Sequence, residues 1–302
     1  MLTRRRFLAI SAAAVGMAPV ARAETLHVWQ GTALGARATI RLAHPEAQAI
    51  TARAMAEIDR LENVFSLYRE GSALSRLNAE GRLAAPPFEL LECLSLAGRV
   101  HEATGGLFDA TVQPLWALHA EAAVEGRAPS EDEVAGTMAR TGWRGVGLDS
   151  GAITLRPGMA ITLNGIAQGY IADRVAALLS GEGLTDVLID TGELRALGGQ
   201  PRGGDWPVQL AGGGSLGLRG RALATSAPLG TVFDREGRLG HILDPRIGRP
   251  VAPRWQSVSV SAPSAAVADA LSTAACLAED RNRLSEMISF FQSARLEAAV
   301  EV

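Results

Sequence analysis

The sequence predicts an α+β fold with the strand–helix alternation of α/β proteins, formed by one domain that follows a removable leader. Three observations predict it. Short apolar runs of strand length alternate with longer amphipathic, alanine-rich stretches of helical period. Hydrophobic residues make up 47% of the chain, as in globular proteins. No repeat of fixed short period and no low-complexity linker divides the chain.

The leader is predicted at residues 1–23, and the domain at residues 24–302. Thr3–Leu8 reads Thr-Arg-Arg-Arg-Phe-Leu, which fits the twin-arginine export pattern. An apolar run at Phe7–Val20 is too short for a membrane anchor, and Ala21–Ala23 supplies the small residues that a signal peptidase requires. A general secretory signal is the alternative, but Phe7 and Leu8 favour the twin-arginine route. We therefore expect the mature protein in the periplasm.

The charged residues exclude several classes of function. Removing residues 1–23, which hold four arginines and no acid, leaves 25 basic and 32 acidic residues, a net charge of −7. This balance argues against a nucleic-acid surface. Every basic residue is arginine, so a lysine Schiff base and a Gly-Lys-Thr phosphate loop are both impossible.

The first half of the domain opens with two strands and continues mainly as helices. The pattern predicts strands at 26–29 and 37–42, helices at 47–63 and 87–104, a polar loop at 66–78, an aromatic loop and short helix at 107–118, and a helix at 130–141. Ser130 and Glu133 have the spacing of a capping box, which supports the last of these.

The second half alternates strands and helices more regularly. The pattern predicts two short strands within 147–162, a helix at 166–179, a buried strand at 187–190, a hairpin formed by 206–211 and 216–225, a Pro/Gly loop at 241–251, a strand at 257–261, a helix at 266–277, and a closing helix and tail at 284–302.

Cys93 and Cys276 lie far apart, each in a predicted helix. Buried free thiols are the favoured interpretation, although an oxidising compartment would also permit a disulfide between them.

The segment Leu163–Asp173 is the first candidate for chemistry. An apolar strand turns through Asn164 and Gly165 into a helix, whose first backbone N–H groups would suit a phosphate. An ordinary strand-to-helix turn with packing glycines is the commoner explanation of such a segment taken alone.

Asp269 and Thr273 form the second candidate. Their spacing of four residues places both side chains on one helix face. The flanking residues are nearly all Ala, Val and Leu, so this helix is predicted to be buried, and a buried carboxylate needs a partner such as a metal ion. Carboxylate, hydroxyl and carbonyl oxygens are the ligands that Mg²⁺ prefers. A solvated Asp beside a Thr that bonds its own helix is the alternative.

Two loops complete the candidates. His241–Pro250 combines a histidine, an aspartate and two arginines, which suit a general base and phosphate binding, or simply a structural turn. Gly105–Thr111 carries Phe108, and Tyr68 lies upstream; both rings would stack on a flat ligand, or belong to the core. The run Gly213–Gly217 formally matches a serine-hydrolase elbow, but strand-like residues follow it, which favours a hairpin turn.

Taken together and in order, these segments resemble the ApbE family of FAD:protein FMN transferases. The matching stretches span nearly the whole mature chain: Phe65–Arg69, Ser75–Asn78, Gly106–Val112, Asn164–Asp173, Ala224–Ser226, His241–Pro250 and Ser257–Thr273. The resemblance implies the ApbE-like fold of mixed or antiparallel sheets with packed helices.

The resemblance also implies a reaction in which FMN passes from FAD to a Thr or Ser hydroxyl of a partner flavoprotein, with Mg²⁺ bound and AMP released. His241 would take the hydroxyl proton, and Asp269, Thr273 and the backbone carbonyl of Ala167 would hold Mg²⁺. The residues implied to line the FAD site are Leu34, Tyr68, Leu107, Phe108, Asp109, Asn164, Tyr170 and Ile242. A twin-arginine signal on a member of this family further resembles the accessory flavin transferase of nitrous oxide respiration. The acceptor would be a membrane-bound or secreted flavoprotein, among them a membrane-bound electron-transfer protein, and the sequence does not name it.

The chain departs from the family pattern at several positions. Asn164 replaces a glycine, Gln168 a lysine and Ile247 a threonine, Thr191–Leu194 replaces a Gly-Gly-Asp segment, and the Tyr/Arg pattern after Ser226 is missing. Two other functions therefore remain open: an FAD pyrophosphatase that releases AMP and FMN without an acceptor, and a non-catalytic periplasmic FAD-binding protein.

Overall fold

The computed structural model describes residues 25–33, 35–252 and 254–302. The predicted leader, at residues 1–23, lies outside them. Eight α-helices are found in the described part of the chain: α1 (Ala47–Phe65), α2 (Ala73–Glu80), α3 (Phe88–Ala103), α4 (Gln113–Val124), α5 (Glu131–Met138), α6 (Ala167–Gly181), α7 (Ala265–Ala275) and α8 (Arg281–Ser289). None of these helices is long and apolar enough to cross a membrane.

Seven strands form a central, fully antiparallel sheet in the order β1-β2-β6-β7-β10-β13-β14. Their bounds are β1 (His27–Ala33), β2 (Ala36–Leu42), β6 (Val187–Asp190), β7 (Leu194–Leu197), β10 (Ala222–Ser226), β13 (Trp255–Ala262) and β14 (Arg295–Glu301). The predicted α+β class is thereby confirmed.

Three small sheets stand apart from the central one. They comprise β3 (Arg82–Ala84) with β5 (Ala152–Leu155) and β4 (Val146–Leu148), β8 (Trp206–Gln209) with β9 (Ser215–Leu218), and β11 (Leu243–Asp244) with β12 (Arg249–Pro250). Ser215 lies in the β8–β9 hairpin, opposite Gln209, so the hairpin interpretation of this segment is confirmed.

The site depends on how α6 and α7 pack. Helix α7 packs on β10 and β13 on one side and on α6 on another, and α3 also contacts it. Nine of its eleven residues are buried, as its alanine-rich sequence predicts. Helix α7 is therefore a central helix of the main core, with polar groups enclosed rather than solvated.

Three expectations for the secondary structure are corrected. The segment 66–78 is not all loop, because Ser72 accepts a hydrogen bond from the Ser75 backbone N–H and begins α2. Residues 295–301 are not a tail, because β14 pairs with β13 along the edge of the central sheet. The run 216–225 is two strands: β9 closes the small hairpin, and β10 enters the central sheet between β7 and β13.

Both cysteines are free and buried, which confirms the favoured interpretation. Each thiol lies in an apolar environment that raises its pKa, so neither is a reactive thiolate at neutral pH.

Candidate active site

The start of α6 meets the middle of α7 at a buried carboxylate. Asp269 is 3% exposed, and its Oδ2 accepts a hydrogen bond of 3.2 Å from the backbone N–H of Gly169. The helices approach so closely that a Cβ on Gly169 would lie 2.3 Å from the carbonyl oxygen of Ala265. A glycine is therefore required at this contact.

Thr273 lies one turn after Asp269 and faces the loop that precedes α6. A Cβ on Gly165 would lie 3.1 Å from the Thr273 Oγ1 and 3.4 Å from the Phe108 ring. On its other side, the Ser226 hydroxyl lies 3.4 Å from the Thr273 hydroxyl. Ala167, which begins α6, is buried as well. The structure thus places Asp269 and Thr273 against segment 165–169, which includes Ala167, although the two parts lie far apart in the sequence.

The electrostatics of this junction favour a bound cation. Burial raises the pKa of Asp269 to about 7, and the Gly169 N–H only partly offsets this. Glu193, in the turn between β6 and β7, is also buried. Burial raises its pKa, and the charges of Asp269 and Asp190 raise it further. A hydrogen bond from the Thr225 backbone N–H lowers the pKa only in part. Two carboxyl groups enclosed together repel each other when ionised, and a cation between them would relieve that repulsion.

The donor set has the chemistry of a hard-cation site. Across the described residues, no cluster of three or more His, Cys, Asp or Glu side chains has the arrangement of a metal site. A cation at the junction would therefore depend on hydroxyl and carbonyl oxygens beside the carboxylate, as Mg²⁺ sites with bound water and phosphate do.

Phe108, one of the residues predicted to line the FAD site, is buried beside this junction, where its ring lies against Gly165. Its backbone N–H donates to Thr104 Oγ1, and its carbonyl lies 2.9 Å from His101 Nδ1. Asp109 accepts from the Thr111 N–H and hydroxyl at 2.8 and 2.6 Å. These bonds hold the 105–111 turn in one conformation.

Leu107 borders a surface cavity of about 540 Å³, together with Arg246 and α8. Tyr68 and Asn164 are exposed and accessible to a ligand. Leu34 lies outside the described residues.

The Tyr170 side chain packs against helices α1 and α3. Its hydroxyl donates a hydrogen bond to Glu92 on α3, and its ring packs edge-on against Phe65 at 5.3 Å. Burial and this bond raise its pKa, so the hydroxyl stays protonated. In this conformation Tyr170 joins α6 to α1 and α3.

His241 lies on a separate loop, beside the β-bridge between Val232 and Gly240. Its Nδ1 is 3.0 Å from the Thr231 carbonyl, which can only accept, so Nδ1 carries the hydrogen of the neutral ring and Nε2 is the basic nitrogen. Burial lowers the pKa of His241, and the carbonyls of Thr231 and Pro228 offset this in part. Its neighbour Ile242 is buried, and the Ile242 carbonyl accepts from the Val251 N–H.

The rest of this loop is held by its own ion pair. The Asp244 carboxylate accepts from the Arg246 backbone N–H at 2.9 Å and from its guanidinium at 2.7 Å. Burial acts to raise the pKa of Asp244, but these bonds outweigh it and the pKa is lowered. Arg246 therefore stabilises the turn while its guanidinium remains half-exposed.

The predicted site residues did not include buried Glu193 or the hydroxyl pair of half-buried Ser226 and buried Ser272, whose oxygens are 2.7 Å apart. Glu193 lies in the turn after the buried strand β6 and directly precedes β7. Its closeness to Asp269, seen in the effect of the Asp269 charge on the Glu193 pKa, depends on the packing of α7 against the central sheet.

The fold and the junction define an α+β protein with a buried, oxygen-rich site between two helices. The model of the ApbE family matches residues 34–298. The chain belongs to the ApbE family.

The relatives agree with this assignment. A protein of Vibrio cholerae named FAD:protein FMN transferase is 30% identical over 274 residues, covering 83% of this chain and 80% of its own. A Klebsiella pneumoniae protein of the same name is 30% identical and covers 70% of each chain. Among solved structures, the ApbE protein of Thermotoga maritima matches with a TM-score of 0.82 and 26% identity, over 92% of this chain and 97% of its own.

Proposed function

We propose that this chain is an FAD:protein FMN transferase, which moves FMN from FAD to a Thr or Ser hydroxyl of a partner flavoprotein and releases AMP. Family membership across residues 34–298 and the names of its relatives support the flavin transfer. The observation that carries the proposal is the buried junction of α6 and α7, where Asp269 and Thr273 face the start of α6.

The junction fits Mg²⁺. Asp269, Thr273 and the Ala167 carbonyl would hold the cation, since Asp269 is buried with the Gly169 N–H as its hydrogen-bond donor and beside a second carboxyl group. When bound, Mg²⁺ neutralises charge on a pyrophosphate.

The remaining residues account for binding and proton transfer. Tyr68, which is 63% exposed, offers an aromatic face to a flat ring, whereas Phe108 and Leu107 are buried and would support the site from beneath. The acceptor hydroxyl oxygen forms a bond to the FMN phosphorus as the bond to the AMP oxygen breaks, and the hydroxyl proton passes to Nε2 of His241. A neutral imidazole at near-neutral pH is suited to that role.

We also propose that the protein works in the periplasm after export. The support is the Thr3–Leu8 pattern with the apolar run and small residues that follow it. Export would restrict the acceptor to proteins exposed on that side of the membrane, among them membrane-bound electron-transfer proteins.

The test is incubation of the purified mature protein with FAD, Mg²⁺ and an acceptor carrying the family's Asp-x-x-Thr/Ser-Gly-Ala-Thr/Ser target. The acceptor should gain the mass of FMN less one water, with one AMP released per flavin. An acceptor with Val in place of the target Thr is the control and should stay unmodified. Release of AMP and FMN without covalent flavin would instead show a pyrophosphatase, and intact FAD would show a carrier.

A further inference from the structure

Asp173, in the second turn of α6, is bonded to the beginning of α7. Its carboxylate accepts four hydrogen bonds: from Ser264 Oγ at 2.7 Å, from the backbone N–H groups of Ala265 at 2.9 Å and Ala266 at 3.1 Å, and from Arg195 Nε at 3.0 Å. The two N–H groups belong to the first turn of α7, where a negative charge also interacts favourably with the helix dipole.

A second hydrogen bond joins the same two helices, with the donor on α6 and the acceptor on α7. Asp269, on α7, accepts from the Gly169 N–H near the start of α6. Each helix therefore supplies a carboxylate to backbone N–H groups at the beginning of the other. Between the two bonds, Gly169 lies against the backbone of Ala265, with no room for a side chain. Two polar contacts and one steric contact thus fix how far α6 and α7 can slide past each other.

This register decides where the proposed cation ligands lie. Ala167 is on α6, whereas Asp269 and Thr273 are on α7, so their oxygens keep one separation only while the helices keep their register. A bound cation tolerates small errors in ligand position poorly, and groups that orient its ligands commonly change metal affinity by 10- to 100-fold.

We propose that Asp173 is a positioning residue for the cation site: through α7 it sets the distance of Asp269 and Thr273 from the Ala167 carbonyl, without touching the cation. This inference rests on the metal site of the proposed function. This role differs from general stabilisation. Substituting Asp173 should lower the affinity for Mg²⁺ more than a substitution elsewhere that destabilises the fold by the same amount.

The test measures binding of Mg²⁺ alone to the folded, metal-free protein by calorimetry, without FAD or acceptor. Asp173→Asn keeps the size of the side chain but removes its charge and replaces an acceptor with a donor. Ser264→Ala removes one of the four bonds and the N-cap of α7. We expect Mg²⁺ affinity to fall about 10- to 100-fold in Asp173→Asn and several-fold in Ser264→Ala.

Ser130→Ala is the matched control. Ser130 begins α5 as Ser264 begins α7: its Oγ accepts from the Glu133 N–H at 3.2 Å, and Ser264 Oγ accepts from the Val267 N–H at 3.3 Å. Both serine variants should lose melting temperature, but only Ser264→Ala should lose Mg²⁺ affinity. If Asp173→Asn does not fold, the comparison of Ser264→Ala with Ser130→Ala still tests whether the contact between Ser264 and Asp173 affects Mg²⁺ binding.

Unchanged Mg²⁺ affinity in folded Asp173→Asn, or equal affinity in the two serine variants, would overturn the proposal, as would a wild type that binds no Mg²⁺. A wild type that binds Mg²⁺ through Asp173-dependent geometry but leaves the acceptor unmodified would instead refute the transferase function and keep the positioning role.

Discussion

Asp173 and Asp269 are two carboxylates on one helix pair, and they differ in how fully the protein satisfies them. Asp173 accepts four hydrogen bonds, one of them from an arginine, and is partly exposed. Asp269 is almost fully enclosed and accepts from the Gly169 backbone N–H, and its pKa is raised. The fold satisfies the first carboxylate fully, whereas the second is the one proposed to bind a cation.

The difference supports Asp269, rather than Asp173, as the proposed cation ligand. A buried charge with too few donors costs stability, so a fold retains one where a ligand compensates for that cost. A saturated carboxylate needs no such explanation.

Asp269→Asn should abolish transfer, a loss of at least about 100-fold, because the change removes the charged oxygen that the cation needs. Covalent flavin on the acceptor, followed by mass spectrometry, measures it. The control is Asp205→Asn, which breaks an exposed pair with Arg219 and should retain full activity. Undiminished transfer by the Asp269 variant would refute the assignment.

His241→Ala should lower kcat by roughly 10²- to 10⁴-fold, the usual contribution of a general base, with little change in the KM for FAD. Because burial lowers the pKa of His241, the wild-type rate should rise with pH only below about 6.5 and stay level above it. The alanine variant should lose that acidic limb; a variant that keeps the wild-type profile would exclude His241 as the base.

The metal-free protein should lose stability as pH rises from about 4 to about 7. Below pH 3.8, the pKa of Asp269 in the unfolded chain, this side chain is neutral in both the folded and the unfolded protein. Between pH 3.8 and about 7 it is ionised in the unfolded chain but still protonated in the folded protein, so unfolding becomes more favourable. The slope from this group is at most about 1.4 kcal/mol per pH unit. Chemical denaturation of wild type and Asp269→Asn across this pH range measures the contribution of Asp269 to the slope. Adding Mg²⁺ to the wild type should reduce the slope. A wild type and variant with parallel pH profiles would contradict the raised pKa.

Gly169→Ala should destabilise the fold by about 1–3 kcal/mol, because its Cβ would overlap the Ala265 backbone between the two carboxylates. Gly136→Ala is the matched control: Gly136 lies in α5 with no heavy atom near its would-be Cβ, so alanine should stabilise that helix slightly. Equal effects of the two substitutions on the free energy of unfolding would show that α6 and α7 do not meet as closely as described.

Local patterns predicted much of the fold. The periodicity of α1, α3 and α7 and the Ser130–Glu133 capping box are short-range properties, and the structure confirms them. The edge strand β14 escaped prediction because its strand character comes from pairing with β13. Helix α2 escaped because its short, polar sequence resembles a loop, and its Ser72 cap was not recognised.

In the candidate site too, local features were predictable from the sequence and tertiary contacts were not. The spacing of Asp269 and Thr273 predicted that they share a helix face, and their apolar neighbours predicted a buried helix. Nine residues of α7 are buried, Asp269 among them, whereas Thr273 is half-buried. That Glu193 approaches Asp269, and that the Tyr170 hydroxyl bonds Glu92, are tertiary facts set by strand order and helix packing. In each of these two contacts the partners lie too far apart in the sequence for a local pattern to contain both.

The most direct test of the central claim is a calorimetric titration of Mg²⁺ into metal-free wild type and Asp269→Asn. If Asp269 has few protein donors because it binds a cation, the wild type should bind Mg²⁺ and the variant should lose that binding while remaining folded. Equal Mg²⁺ binding by the two folded proteins would contradict the account.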